Sequence, residues 1–254
     1  MTTLLISDLH LSPERPAVTR AFFAFLENQT GDIEALYILG DLFEAWIGDD
    51  DPAPLARQVI AALKKLSDSG VRLFFTHGNR DFLIGRQFAR ESGATLLPDH
   101  HLAELGGQRV LLLHGDTLCT GDADYQKFRR RYRHPLVKFL LRHLPLKKRQ
   151  KMAVEWRQKS MRANANKSDN IMDVSAETVA QLMAQYQVKL MIHGHTHRPY
   201  HHYMAFGERL VLGDWHQRGW YIRIEGDHPP ELISFPIEEN GNRGLFSPER
   251  TNQP

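Results

Sequence analysis

The sequence predicts a layered α/β fold, and three observations carry that prediction. Five short runs, Leu4–Ser7, Ala35–Gly40, Val71–Thr76, Arg109–Gly115 and Val188–Gly194, are apolar at nearly every position. Helical patterns lie between them. Each run closes on Ser, Gly or Thr and meets an Asp or His next: Asp8, Asp41, His77, Asp116 and His195. Runs without a polar face suit strands covered on both sides. Their alternation with helices argues α/β layers.

Leu4–Ser7 is the first strand, and Ala17–Asn28 reads as the helix after it. Ala35–Gly40 is the second strand. Pro54–Ser69 follows as a helix, with Pro at its start and Gly70 just past its end, the expected helix punctuation. Val71–Thr76 is the third strand, Phe82–Ser92 a helix stopped by Gly93, and Arg109–Gly115 the fourth strand. From Gly121 to Gln187 the strand pattern stops. Tyr125–Arg133, Pro135–Leu144 and Leu146–Asn166 read as helices, and Val174–Gln187 as an amphipathic helix entering the fifth strand. Runs at Leu210–Gly213, Trp220–Ile224 and Leu232–Phe235 predict an antiparallel finish. The expectation is one domain over 1–240 with a helical insertion over about 121–170. Residues 241–254, rich in Asn, Gly, Pro and charge, are expected to be a disordered tail.

The composition of the 254 residues, 42% hydrophobic and 24% charged, is that of an ordinary globular protein. The single cysteine, Cys119, excludes an internal disulfide framework or a cysteine-rich zinc site and suits a reducing compartment. The N-terminal run lacks a basic region and meets Asp8 early, so no signal peptide is expected. No apolar stretch approaches the ~18 residues that span a bilayer. The expectation is a soluble chain, or one lying on a membrane.

A net charge of +2 conceals an asymmetry. Between Lys127 and Lys167 stand fifteen Lys and Arg against one acid, Glu155, whereas the remainder holds seventeen basic and twenty-nine acidic residues. The plain reading is a solvated helical face. The sharper one is a surface for phosphate, nucleic acid or anionic lipid.

The chemistry lies where the strands end. Asp8 and His10 follow the first, Asp41 the second in GDLFE, Asn79 the third in HGNRD. His114 closes the fourth in LLHGD, and His193, His195 and His197 stand in IHGHTH after the fifth. In open α/β sheets the carboxyl-end loops converge on one crevice. Asp8/His10 and His195/His197 are i, i+2 pairs, so in extended backbone both members point to one side and Leu9 to the core. A lone His or Asp at a strand end is ordinarily a cap or turn residue; seven in this pattern argue for a shared site. Carboxylate, imidazole and amide donors without thiolate suit Mn²⁺, Fe or Zn²⁺ better than Ca²⁺. Seven candidates exceed one tetrahedral ion and fit two ions about 3.5–4 Å apart that share a carboxylate, an arrangement for phosphoryl transfer. His77 and His193 read as groups that orient neighbours, and His100, His101, His201 and His202 as surface-loop residues.

The ordered series D-x-H, GD, GN, HGD and GHTH resembles the calcineurin-like metallophosphoesterase superfamily and spans Asp8–His197. That resemblance implies an α/β/β/α four-layer sandwich with a helical cap. It implies one metal on Asp8, His10, Asp41 and His197, and a second on Asp41, Asn79, His114 and His195, with Asp41 bridging. Most of the superfamily has His after the GN asparagine; here Arg80 stands there. Arginine braces a phosphate with two donors but cannot give up a proton near neutral pH. A leaving group that needs little protonation is favoured, hence pyrophosphate cleavage.

GDLFEAWIGDD, HGNRDFL, HGDTLCT and IHGHTHRP, with the basic helices, resemble one branch, the UDP-2,3-diacylglucosamine diphosphatases of lipid A biosynthesis. The resemblance implies two Mn²⁺ per chain and hydroxide attack at the α-phosphorus, giving UMP and 2,3-diacylglucosamine 1-phosphate. It implies catalytic roles for Asp41, Asn79, Arg80, His114 and His195, and substrate contacts from Asn79, Arg80, Asp122, Ser160, Asn164, Lys167 and His195. Ser160, Asn164 and Lys167 fall on one helix face. Trp46, Tyr125, Phe128, Phe139 and Leu140 are candidates for a cleft that takes two acyl chains, with simple helix packing as the plainer alternative. The implied place is the cytoplasmic face of the bacterial inner membrane, peripherally bound to an anionic surface. No nucleic acid and no obligate protein partner are expected. The rival readings are a metal-dependent phosphodiesterase or nuclease of the same superfamily, which the basic block would serve, and a non-catalytic scaffold, against which the intact ligand set argues.

Overall fold

A computed structural model describes residues 2–28, 33–165, 173–238 and 249–250, with backbone alone over 161–165 and 249–250. Two sheets stack face to face. The first has the order β12-β11-β10-β1-β2-β3-β4, built from β1 (Thr2–Ile6), β2 (Ala35–Ile38), β3 (Arg72–Phe75), β4 (Ala94–Leu96), β10 (Arg218–Glu225), β11 (Glu231–Pro236) and β12 (Glu249–Arg250). The second has the order β5-β6-β7-β9-β8, built from β5 (His100–Leu105), β6 (Gln108–Leu113), β7 (Leu190–His193), β8 (Tyr200–Met204) and β9 (Gly207–Val211).

The unbroken apolar runs are explained by burial on both faces. In β1, Leu4 and Ile6 face one core while Leu5 faces the other; in β6, Val110 and Leu112 face the inter-sheet core while Leu111 and Leu113 face outward. The outer face of the first sheet is covered by α1 (Pro16–Asn28), α2 (Pro54–Asp68) and α3 (Arg86–Ser92). Val179 and Met183 of α7 (Ala176–Tyr186) cover the second sheet. The result is the α/β/β/α sandwich expected. Between β6 and α7 the described residues form three helices, α4 (Ala123–Tyr132), α5 (Pro135–Arg142) and α6 (Leu146–Ala165).

Four expectations are corrected. The third helix begins at Arg86, not Phe82, because the Asp49 carboxylate reaches across and accepts from the N–H groups of Gly85, Gln87 and Phe88 (2.9–3.1 Å). That capping fixes the start of α3, and Asp49 belongs to a distant loop. The finish is not wholly antiparallel: β9 pairs parallel to β7, while β10 pairs antiparallel with β1 and β11. His100, His101, His201 and His202 are strand residues of β5 and β8, not loop residues. Gly106 and Gly107, both at positive φ, close the β5–β6 hairpin, a two-glycine turn that the twist of paired strands favours. Of the tail, Glu249–Arg250 pair with Ile233 and Ser234; its other residues lie outside those described.

Candidate metal centre and active-site cleft

Parallel pairing of β1, β2 and β3 in one sheet, and of β6 and β7 in the other, brings five strand ends together. Backbone hydrogen bonds then tie the loops: Asp8 N–H donates to the Gly40 carbonyl (3.1 Å), His10 N–H to the Asp41 carbonyl (3.0 Å) and Gly194 N–H to the His114 carbonyl (2.8 Å). Two glycines are demanded by close approach. A Cβ on Gly78 would lie 2.1 Å from Asp41 Oδ1, and one on Gly194 would lie 2.1 Å from Asp8 Oδ2.

The structure gathers all seven candidate ligands. His197 Nε2 lies 3.4 Å from Asp8 Oδ1 and 3.2 Å from His10 Nε2; His10 Nε2 lies 4.0 Å from both Asp8 Oδ1 and Asp41 Oδ2. His114 Nε2 lies 3.8 Å from Asp41 Oδ2 and 3.0 Å from Asn79 Oδ1, and the His195 ring stands 4.9 Å from that of His114. Among the described residues two groups could each hold a metal ion, Asp8/His10/His197 and Asp8/Asp41/His114. The extended-backbone account of the i, i+2 pairs is wrong. Asp8, His10, Asp41, His195 and His197 all have φ between 50° and 67°, and among the described residues Gln187 is the one other non-glycine residue at positive φ. Leu9 is nonetheless fully buried, as expected. Each left-handed residue costs roughly 1–2 kcal/mol, and such strain concentrates at functional sites.

The donors fit divalent ions. Asp8 Oδ1 is buried without a hydrogen-bond partner, while its Oδ2 accepts from Ser7 Oγ (2.5 Å) and His195 N–H (2.8 Å). His114 Nδ1–H donates to the Leu39 carbonyl (2.8 Å), which turns Nε2 toward Asn79 Oδ1 and Asp41 Oδ2. His10 Nδ1 faces Glu44 (3.3 Å) and His197 Nδ1 faces Asp214 (3.9 Å), the carboxylate–imidazole pairing that orients a metal-binding histidine. Two imidazole nitrogens 3.2 Å apart beside a buried carboxylate oxygen with no hydrogen-bond partner form a donor set that fits a cation. Burial opposes the Asp8 carboxylate, yet His197, His114 and His10 hold it well below the usual carboxylate range. Burial, then His114, pushes His195 down to about 4, which keeps its ring neutral and able to ligate.

Beside the ligands opens a cleft of about 600 Å³. Asn79, Arg80 and Glu44 line its end nearest the centre; Trp46, Phe82, Phe128, Met152 and Trp156 are among its apolar walls. Arg80 donates its backbone N–H to Asp41 Oδ1 (2.8 Å), and its buried Nε has no hydrogen-bond partner. Asp122 and Ser160 line the cleft, and Asp122 also caps α4 by accepting from Tyr125 N–H (3.1 Å). Asn164 is placed by backbone alone on α6, and Lys167 lies outside the described residues. Tyr125 and Phe128 line the cleft as expected, but Phe139 and Leu140 do not: they are 58% and 63% exposed on the outer face of α5, because Val137 and Leu141 take its inner face.

Four carboxylates escaped the sequence reading. Asp81, fully buried, accepts from the N–H groups of Gly78 and Leu42 (both 2.8 Å) and so staples the GN loop to the GD loop; burial and the Asp41 charge push it up to about 7. Asp116 accepts from Tyr125 Oη (2.6 Å), Arg129 Nε (2.8 Å) and Arg133 (3.0 Å). Both stand inside motifs already singled out, as does Glu44, so position could have flagged them. Asp214 carried no signal.

The calcineurin-like phosphoesterase model matches residues 1–199. A protein of Edwardsiella ictaluri named UDP-2,3-diacylglucosamine hydrolase is 52% identical over 94% of this chain and 95% of its own. A Yersinia pseudotuberculosis protein of the same name is 50% identical over 93% of this chain and 100% of its own. The crystal structure of Chaetomium thermophilum Vps29 superposes with a TM-score of 0.51 at 13% identity, covering 98% of this chain and 96% of that one, a likeness of fold. With the family's pattern met over most of its length and its fold reproduced around the gathered ligands, the chain belongs to the calcineurin-like phosphoesterase family.

Proposed function

We propose that the chain hydrolyses the pyrophosphate bond of UDP-2,3-diacylglucosamine, releasing UMP and 2,3-diacylglucosamine 1-phosphate with two Mn²⁺ as cofactors. The observation that carries this reading is the adjacency of the ligand cluster to a long cleft with a polar end and apolar walls. A phosphate belongs at the polar end and acyl chains along the walls, and the names of the relatives agree. Asp8, His10, Asp41, Asn79, His114, His195 and His197 hold the ions. When bound, such ions supply activated water and neutralise charge on the phosphoryl oxygens.

The chain's own groups do the rest. Arg80 lines the polar end of the cleft, its Nη1 3.8 Å from Glu44 Oε1, and its guanidinium stabilises developing charge on the phosphate. Asn79 and His195 border the same end. Because arginine keeps its proton, the leaving group must depart without one, as a phosphate ester of the lipid sugar does. Asp122, Ser160, Asn164 and Lys167 contact the polar part of the substrate. Placement on a membrane is supported by the outer face of α5, where the apolar side chains of Leu136, Phe139 and Leu140 are exposed. No helix among the described residues is long and apolar enough to cross a membrane.

The test is product analysis of metal-stripped protein with UDP-2,3-diacylglucosamine, with and without Mn²⁺, in ¹⁸O-labelled water. Mn²⁺-dependent UMP carrying the label is expected. Label in the lipid phosphate would move the attack to the other phosphorus. No turnover, alongside hydrolysis of cyclic nucleotides or DNA, would place the chain with the phosphodiesterases.

A further inference from the structure

His193 precedes the Gly194–His195–Thr196–His197 loop and is fully buried, outside the groups that could hold a metal ion. Its Nδ1 lies 2.8 Å from the Gly194 carbonyl and its Nε2 lies 3.0 Å from Arg209 Nη1, reached from the neighbouring strand β9. A guanidinium has only donors, so Nε2 must accept and Nδ1 must carry the hydrogen that the Gly194 carbonyl receives. The same peptide unit turns its other end, the His195 N–H, onto Asp8 Oδ2 at 2.8 Å. The Gly194–His195 peptide plane is thus held at both ends, by His193 on one side and by a candidate ligand on the other. There is little slack: a Cβ on Gly115 would meet His193 Nδ1 at 2.8 Å and the Gly194 carbonyl at 2.9 Å. Arg209 is itself only 9% exposed, and among the described residues His193 is the side chain to which it hydrogen-bonds.

We propose that Arg209 is a positioning residue for the metal centre, acting through His193. By fixing the His193 ring in one tautomer it orients the Gly194–His195 peptide. That peptide aims His195 and His197 and leaves Asp8 Oδ1 for a metal. The inference rests on the ligand assignment proposed above, and it extends the machinery to a strand that carries no motif. Groups hydrogen-bonded directly to a metal ligand commonly change affinity by about 10–100-fold when removed, and Arg209 acts one link further out, through His193.

The test is calorimetric titration of the metal-stripped full chain with Mn²⁺ alone. Arg209→Met, with no donor, is expected to weaken Mn²⁺ binding by up to about 10-fold, the lower end of that range, and Arg209→Lys to recover most of it. At saturating Mn²⁺ the KM for substrate should stay near that of the parent. A merely structural arginine would lower Tm and leave the Mn²⁺ affinity of the folded protein unchanged, and that result overturns the proposal. Should Arg209→Met fail to fold, His193→Gln and His193→Phe carry the same comparison. Glutamine can accept from Arg209 and donate to Gly194, so it should bind Mn²⁺ within a few-fold of the parent; phenylalanine can do neither and should not. Equal binding by the two overturns the proposal. A parent chain that binds no Mn²⁺ overturns the ligand assignment itself, which separates the two failures.

Discussion

One wall of the cleft is made of strand ends, the other of helices α4–α6, and the two are held in place by different bonds. On the strand-end side Asp8, His10, Asp41 and His114 are 0–6% exposed, and their loops are tied by backbone-to-backbone hydrogen bonds. On the helical side α4 has no buried residue, and side chains do the holding. Arg129 and Arg133 reach Asp99 and Asp116, and Arg133 also donates to the Gly78 carbonyl (2.8 Å). Arg149 clasps Asp50 (2.7 Å), the Ile47 carbonyl (2.7 Å) and the Leu144 carbonyl (2.9 Å). Trp156 packs against Phe82, Phe128 and Tyr132. Backbone ties can hold ligands in strained left-handed conformations, because the sheet over-determines them. Side-chain ties cannot bear such strain, but they let the helical wall differ without disturbing the ligands.

The largest effect should come from the strand-end wall. Asp41→Ala is expected to cut turnover by about 10³-fold or more while far-UV circular dichroism stays that of the parent. Near-normal kcat would sink the ligand assignment and, with it, the contrast between the walls.

The helical wall should respond in stability instead, and asymmetrically. Arg149 is 4% exposed, and its loss strands two carbonyls; Asp50, with its side chain 59% exposed, returns to water when its partner goes. Arg149→Met should therefore cost about 2–3 kcal/mol, and Asp50→Asn below about 1 kcal/mol, in urea unfolding. Equal costs would mean that the ion pair, not the carbonyl clasp, docks α6.

A smaller effect sharpens the electrostatics of the same wall. Burial, then Arg142 and Arg133, brings the Lys138 ammonium down from 10.5 to about 8. Between those values the unfolded chain holds the proton that the folded chain has released, so stability rises with pH across that window. Below pH 8 the penalty is fully present. Lys138→Met should raise Tm at pH 7 by about 2–4 °C, and the gain should shrink as pH climbs toward 10.5. A gain independent of pH would assign the effect to packing alone.

Much of this molecule was legible because its signals are local. An apolar run ended by Ser or Gly and then Asp or His marks a strand and what its end presents, and β1, β2, β3, β6 and β7 all follow that rule. The edge strands β5 and β8 were missed because His and Tyr at partly exposed positions look like loop residues until a neighbouring strand pairs with them. Phe139 and Leu140 were assigned to the cleft because hydrophobicity does not say which of two apolar helix faces turns inward.

The sequence by itself determined the class of fold and the strand ends at which the candidate ligands stand, since both are written in nearest-neighbour patterns. Tertiary structure alone decided the left-handed backbone of five candidate ligands, the capping of α3 by Asp49, the docking of the helical wall and the reach of Arg209 to His193. Each of these joins residues far apart in the chain, and a contact across such a separation has no signature in the spacing of its own neighbours.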